Sequence, residues 1–125
     1  MAQLGAPARK LLLGIPSYAR SMSSPSEART YAELRRDGLV ASKEADESSD
    51  GVWYFNGPAT VAAKAREVKL RGLAGAFVWE AGQDELDNDE WSLLANIRKA
   101  LFDDARKSTN NNNNNNEKKE EHSEL

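Results

Sequence analysis

The sequence predicts an α/β fold, and two apolar segments joined through a helix are the evidence. Residues 72–79 form a short, almost continuously apolar run that ends in Trp79. Such a run is typical of a fully buried parallel strand. Residues 10–15 have the same character and predict a second buried strand. A helical segment lies directly before residue 72, which is half of the crossover that parallel strands require.

The first predicted strand carries a polar pair at its end. Residues 10–20 are a buried-strand run that Pro16 interrupts, and Tyr18 and Arg20 follow the interruption. Side chains two positions apart on an extended chain share one face. We therefore expect a phenol and a guanidinium to project together from the end of this strand.

The next thirty residues predict a loop, a short helix and an exposed segment. Residues 21–26 have loop composition. Thr30 and Glu33 have the spacing of a capping box that begins a short helix, and Gly38 is placed to end it. Residues 43–50 are polar and acidic and are expected to be exposed.

The unit that leads into residues 72–79 is a strand followed by a helix. Residues 52–55 are rich in β-forming side chains, and we expect Trp53, on the face opposite Tyr54, to pack. Pro58 suits the first helical turn, and Gly72 suits the left-handed residue after the last one. Three apolar residues recur at helical spacing between them: Val61, Ala65 and Val68.

The last helix is predicted over residues 90–102, and an acidic loop precedes it. Residues 84–90 are expected to form a solvated loop whose negative charge is favourable near the amino end of the helix. The expected buried stripe of the helix consists of three residues: Leu94, Ile97 and Leu101. We divide the chain at residue 107, because residues 108–125 contain seven consecutive asparagines and then charged residues, which predicts a disordered tail.

Composition excludes several classes of function. The net charge is −3, with no basic patch that would attract nucleic acid. The sequence has no cysteine, so disulfides and thiolate metal sites are excluded. Its one histidine, His122, lies in the predicted tail, and we expect neither a metal nor another cofactor. No apolar stretch approaches the length of a membrane span, and the amino end is too weakly apolar for a signal peptide.

Trp79 is the strongest candidate for a binding residue. The carboxyl ends of parallel strands are where α/β proteins bind ligands and where barrels have active sites. A flat indole with one N–H donor suits the apolar face of a sugar ring. The alternative is that Trp79 packs in the core, as a tryptophan in an apolar strand most often does.

Three segments together resemble the family 18 glycoside hydrolases, the chitinases and their relatives. Residues 10–21 are similar to the seventh barrel strand of that family, where Lys-Leu-x-Leu-Gly precedes a Pro-x-Tyr-Gly-Arg pattern. Residues 73–80 are similar to the eighth strand, and residues 50–60 to the stretch that leads into it. The resemblance implies a partial (β/α)₈ TIM barrel over residues 1–107, namely its last two β/α units with a short insertion. A whole barrel takes about 250 residues, twice the length of this chain.

The resemblance also implies a function and its residues. Family members hydrolyse N-acetylglucosamine polymers by a retaining mechanism in which the substrate's own acetamido group attacks. The family's Asp-x-x-Asp-x-Asp-x-Glu motif, which ends in the general acid, is not found here, and the acidic residues 84–90 have the wrong spacing and context. We therefore expect no catalytic residue in this chain. The implied substrate-binding residues are Trp79, Tyr18 and Arg20.

Three hypotheses follow. The chain is the carboxyl-terminal part of a chitinase-like hydrolase that binds chitin or chito-oligosaccharides, a non-catalytic carbohydrate-binding relative, or a truncated product without independent function. The missing barrel units are expected to be required for folding, because a quarter barrel exposes an open sheet edge. A full-length relative would be secreted or in the endomembrane lumen, although we expect no signal peptide in this chain.

Overall fold

The computed structural model describes residues 5–103, in which two small sheets and three helices pack together. The strands are β1 (Leu12–Pro16), β2 (Tyr18–Ser21), β3 (Ala28–Thr30), β4 (Trp53–Tyr54) and β5 (Gly75–Trp79). The helices are α1 (Tyr31–Arg36), α2 (Pro58–Leu70) and α3 (Leu93–Arg98), with a π-helical turn over Lys99–Asp103. The predicted mixed α/β class is confirmed. The predicted tail over residues 108–125 lies outside the described residues.

The two predicted parallel strands pair directly with each other. β1 and β5 are parallel, and their register runs from Leu12 opposite Gly75 to Pro16 opposite Trp79. The helix α2 precedes β5, begins with Pro58 at its first position, and ends before Gly72, whose φ is 64°. Only glycine adopts that left-handed backbone without steric cost. The pairing brings the carboxyl ends of both strands to one edge of the sheet.

The prediction that Tyr18 and Arg20 project from the end of the first parallel strand is wrong. The chain bends at Ser17, and Tyr18–Ser21 becomes the central strand of a separate antiparallel sheet with the order β3-β2-β4. The strand β3 was not predicted, because three residues are too few to show an alternating pattern. β2 thus leaves the β1–β5 sheet, although Tyr18 and Arg20 still share one face of their strand.

The prediction that the β1 and β5 runs are fully buried is also wrong. Ile15 is buried, and Leu13 and Val78 are half-buried and pack against the core. In contrast, Phe77 and Trp79 are 49% and 64% exposed. Alternate side chains of a strand point to opposite faces, and only one face of this sheet is covered within the described residues.

The core lies where α2 meets α3, β1 and the residues around α1. The predicted apolar stripe of α2 is confirmed, since Val61, Ala65 and Val68 are all buried. The other large buried side chains of the core are Ile15, Tyr31, Leu34, Phe55, Leu93 and Ile97. Within residues 5–103, none of the helices has the length and apolar character that crossing a bilayer requires.

The last helix begins later than predicted, and one of its three predicted buried residues is exposed. Ile97 is buried and Leu101 packs half-buried against the core, as predicted. Ser92 is its N-cap and accepts a hydrogen bond from Ala95 N at 3.1 Å, so α3 starts at Leu93 rather than near residue 90. Leu93 is 1% exposed, whereas Leu94, which was predicted to be buried, is 48% exposed. Neighbouring residues of a helix point about 100° apart, so the face that buries Leu93 and Ile97 leaves Leu94 outside.

The segment before β4 confirms one prediction and corrects another. Thr30 accepts a hydrogen bond from Glu33 N at 3.0 Å and caps α1, and Gly38 follows the helix with a φ of 71°. Residues 43–50 were predicted to be exposed, and most of them are. Ser48 is the exception, because its buried hydroxyl accepts from Trp53 N at 2.9 Å and fixes the entry into β4.

Candidate functional site

Trp79 ends β5 and lies beside the point where β1 ends. Its carbonyl accepts a hydrogen bond from Ser17 N at 2.9 Å, directly after the last register pair, Pro16 and Trp79. The indole is exposed rather than packed in the core. Within the described residues, Trp79 therefore lies outside the buried core, and its role in binding stays a prediction.

Tyr18 and Arg20 lie on the same face of β2 and contact each other. The guanidinium carbon of Arg20 is 4.9 Å from the centroid of the Tyr18 ring, within the range of a cation–π contact. A guanidinium nitrogen of Arg20 also donates to Ser26 O at 3.4 Å. The structure brings Tyr18, Arg20 and Trp79 together as lining residues of one groove of about 260 Å³.

The groove is also lined by residues that the sequence did not suggest. Ala28, Arg29 and Thr30 of β3, Glu33 of α1, and Gln83 complete the lining. Arg29 could not have been predicted, because its position follows from the antiparallel pairing of Ala19 with Arg29, and β3 itself was not expected. The segment between Arg20 and Asp50 thus contributes four of the lining residues.

The charge of the groove wall is fixed by ion pairs. Arg29 donates to the carboxylate of Glu33 at 3.3 Å and to that of Asp37. The hydrogen bond to Asp37 is the main cause that raises the pKa of the Arg29 guanidinium above its ordinary value. Arg29 is therefore a permanent cation, and its carboxylate partners neutralise much of its charge. The groove offers polar donors and acceptors beside an exposed indole.

The chain turns sharply after Trp79. The peptide bond between Trp79 and Glu80 is cis, and a turn of 3₁₀ helix, Ala81–Gln83, follows it. Glu80 N donates to the side-chain carbonyl of Gln83 at 3.4 Å. This contact places Gln83 at the rim of the groove, four residues after the indole.

The acidic loop differs from its prediction at its first residue. Asp84 was expected in a solvated loop, but it is 2% exposed. Its carboxylate accepts from Ser92 Oγ and Leu93 N at 2.8 Å and from Leu94 N at 2.9 Å. The predicted attraction between negative charge and the helix amino end is therefore realised by a buried aspartate.

Trp53 is placed as predicted. It is half-buried against the core, while Tyr54, on the other face of β4, is exposed. The guanidinium of Arg29 lies 5.8 Å from the Trp53 ring centroid.

In residues 5–103, His, Cys, Asp and Glu side chains form no group of three that could hold a metal ion.

Comparison with known proteins identifies the family. The family model described as glycosyl hydrolases family 18 matches residues 1–84, which is more than half of the chain. The chain belongs to this family. The match includes β1, β5 and every lining residue of the groove.

Individual chitinases are also similar to this chain. Chitinase C of Streptomyces lividans is 29% identical over 109 residues, an alignment that covers 70% of this chain and 18% of the relative. The crystal structure of the chitinase ChiB from the chitin utilization locus of Flavobacterium johnsoniae matches with a TM-score of 0.70 and 28% identity. That match covers 82% of this chain and 31% of the other chain.

A third relative shares the fold. The chitinase-like agglutinin of Robinia pseudoacacia matches with a TM-score of 0.60 and 24% identity, over 80% of this chain and 34% of the agglutinin. The chain therefore spans about a third or less of the length of these relatives. Chitinase-like membership and a mixed α/β fold are established for it.

Proposed function

We propose that the chain forms the last two β/α units of a family 18 (β/α)₈ barrel and contributes the sugar-binding half of its cleft. Adjacent parallel strands, a helix that returns the chain to β5, and a further helix after β5 are the parts that two such units require. The groove lies at the carboxyl ends of these strands, the edge at which barrel enzymes bind their substrates. The proposed ligand is an N-acetylglucosamine polymer, chitin or a chito-oligosaccharide.

The exposed indole of Trp79 beside Tyr18 and Arg20 is the observation that carries this proposal. Trp79 would stack on the apolar face of a sugar ring, since a flat aromatic surface left open to solvent next to polar donors suits a carbohydrate. The Tyr18 hydroxyl and the Arg20 guanidinium would donate hydrogen bonds to hydroxyl and carbonyl oxygens of the sugar. These three residues form the proposed substrate-binding set.

We propose no catalytic residue in this chain, because a general acid in the family's motif is absent from its sequence. The expectation that the acidic residues 84–90 have the wrong spacing needs a correction: Asp84, Asp87 and Asp89 do have the spacing of the motif's three aspartates. The departure lies at the last position, where Trp91 stands in place of the glutamate. Asp84 is also committed to capping α3. The part of this loop at Asp84 therefore serves to cap the helix.

A non-catalytic sugar-binding function is the second candidate, and the absent motif is the observation that favours it. Binding needs only the groove, whereas hydrolysis needs a proton donor to the leaving oxygen. The exposed apolar side chains of Leu12 and Phe77 favour the further proposal that other barrel units cover this sheet. Without them, the chain would be a truncated product with no function of its own.

Titration with chitotetraose tests the proposed function. We expect Trp79→Ala to weaken binding of chitotetraose by about 1 to 3 kcal/mol, the range for one aromatic platform. Phe77→Ala is the matched control, since it removes an exposed aromatic from the same face of β5 outside the groove lining. Calorimetry measures the affinities, and thermal melting shows whether each variant stays folded. Equal affinities for the two variants, or binding no tighter than to maltotetraose, would contradict the proposal.

A further inference from the structure

Ser17 occupies the bend between β1 and β2 and is completely buried. Its N–H donates to the carbonyl of Trp79 at 2.9 Å, and its hydroxyl donates to the carbonyl of Glu80 at 2.6 Å. The carbonyl of Ser17 itself accepts from Tyr31 N at 3.1 Å, at the start of α1. One serine thus links the end of β1, the residues after β5 and the first turn of α1.

The two donors of Ser17 hold consecutive carbonyls, one on each side of the Glu80 α-carbon. The bond to the Trp79 carbonyl holds the peptide that directly follows the Trp79 α-carbon, and the two bonds together restrict the backbone rotation at Glu80. Within residues 5–103, no hydrogen bond holds the indole of Trp79 itself. The direction of the indole in the groove therefore depends on the backbone from which it projects.

The hydroxyl is the specific contribution of Ser17. Its N–H bond to Trp79 continues the parallel ladder, and any residue other than proline would supply it. The bond to Glu80 extends one residue beyond the ladder and requires a side-chain donor short enough to fit a buried site. An alanine would keep the ladder bond and lose the second one.

We propose that Ser17 is a positioning residue that orients Trp79 for sugar binding. This inference rests on the function proposed above, and it names a residue that does not line the groove. Ser17 acts through the backbone of Trp79 and Glu80 and makes no contact with the ligand.

The indole N–H resonances of the 125-residue chain test the proposal before any sugar is added. The sequence has three tryptophans, so a nitrogen-15 correlation spectrum has three indole signals, and Trp79→Phe assigns one of them. We expect Ser17→Ala to shift and broaden the Trp79 signal and to leave the Trp53 and Trp91 signals unchanged. Ser48→Ala is the matched control, because Ser48 is also buried and hydrogen-bonded but its partners, Asp50 and Trp53, do not line the groove.

Chitotetraose titration supplies the second readout. Loss of one hydrogen bond predicts affinity that is about two- to tenfold weaker for Ser17→Ala. Ser17→Cys, of similar size and with a weak donor, should fall between alanine and serine. An unmoved Trp79 signal overturns the proposal, and so does a moved signal with unchanged affinity.

Failure of the proposed function would look different. If the unaltered chain does not bind chitotetraose, the sugar-binding function fails, while the spectra of the free variants still decide whether Ser17 orients Trp79. If all three indole signals lose their folded positions in Ser17→Ala, that variant is unfolded, and the spectrum of Ser17→Cys tests the proposal instead. Collapse in both variants would show that Ser17 holds the whole fold, and it would overturn the specific role.

Discussion

The carboxylate of Asp84 accepts a hydrogen bond from the hydroxyl of Ser92 at 2.8 Å, and the two side chains together cap α3. The carboxylate of Asp84 accepts hydrogen bonds from Leu93 N and Leu94 N, and the hydroxyl of Ser92 accepts one from Ala95 N. The first amides of a helix have no partner inside it, so these bonds satisfy three of them. The cap also joins α3 to the loop that follows the groove.

Removing this cap should destabilise the chain strongly. We expect Asp84→Ala to lower the free energy of unfolding by about 2 to 3 kcal/mol, because buried amides lose a charged acceptor. Asp87→Ala changes an exposed aspartate of the same loop and should alter stability by less than about 0.5 kcal/mol. Urea unfolding measures both. Similar losses would mean that loop charge, rather than the cap, stabilises α3.

Gly57 is required by close packing rather than by backbone conformation. A Cβ atom at this position would lie 2.1 Å from the carbonyl oxygen of Ala45, far inside contact distance. We expect Gly57→Ala to destabilise by about 1 to 3 kcal/mol, since the segment before α2 must move. At Gly82 an added Cβ meets nothing within 4 Å, so Gly82→Ala should melt close to the original temperature. An equal fall in melting temperature for both variants would contradict this account.

Tyr31 should make the stability of the chain sensitive to alkaline pH. Its ring is fully buried and its hydroxyl donates to Trp91 O at 2.8 Å. Burial is the main cause that raises the pKa of the Tyr31 phenol well above its ordinary value of 10.0, with the charges of Asp84 and Glu85 adding to the rise and that of Arg35 opposing it. The unfolded chain therefore ionises first, and stability is lost as the pH rises above about 10.

Tyr31→Phe separates this effect from the titration of lysines. The variant should lose about 1 kcal/mol at neutral pH, where the hydrogen bond to Trp91 O is missing. Its disadvantage should shrink as the pH rises above 10, because phenylalanine has no proton to lose. Parallel melting curves between pH 7 and 11 measure the difference. A constant difference over that range would show that Tyr31 does not titrate on unfolding.

The purified chain should not hydrolyse chito-oligosaccharides. Stacking on Trp79 and hydrogen bonds from Tyr18 and Arg20 can orient a sugar, but none of them protonates the leaving oxygen. A fluorogenic chitobioside assay with added complete chitinase as the positive control measures this. Turnover that disappears on changing Asp87, Asp89 or Glu90 to the corresponding amide would make the acidic loop catalytic.

Local elements whose signals lie in a few residues could be predicted from the amino-acid sequence. The parallel strands follow from two apolar runs, α2 from the spacing of Val61, Ala65 and Val68, and the ends of helices from Pro58 and Gly72. The family follows from the order of residues 10–21 and 73–80. Each of these depends on neighbouring residues or on a contiguous pattern, which a sequence displays directly.

Which residues contact one another across the fold could not be predicted in this way. The bonds from Ser17 to Trp79 and Glu80 join distant parts of the chain. The pairing of Ala19 with Arg29 and the burial of Asp84 against residues 92–94 join separate segments across a turn or loop. The same limit explains the error at α3, where the carboxylate of Asp84 binds the first amides of the helix and packing against the core buries Leu93 rather than Leu94. Long-range hydrogen bonds leave no periodic trace in the sequence, so the wall of the groove and the anchor of Trp79 became visible only in three dimensions.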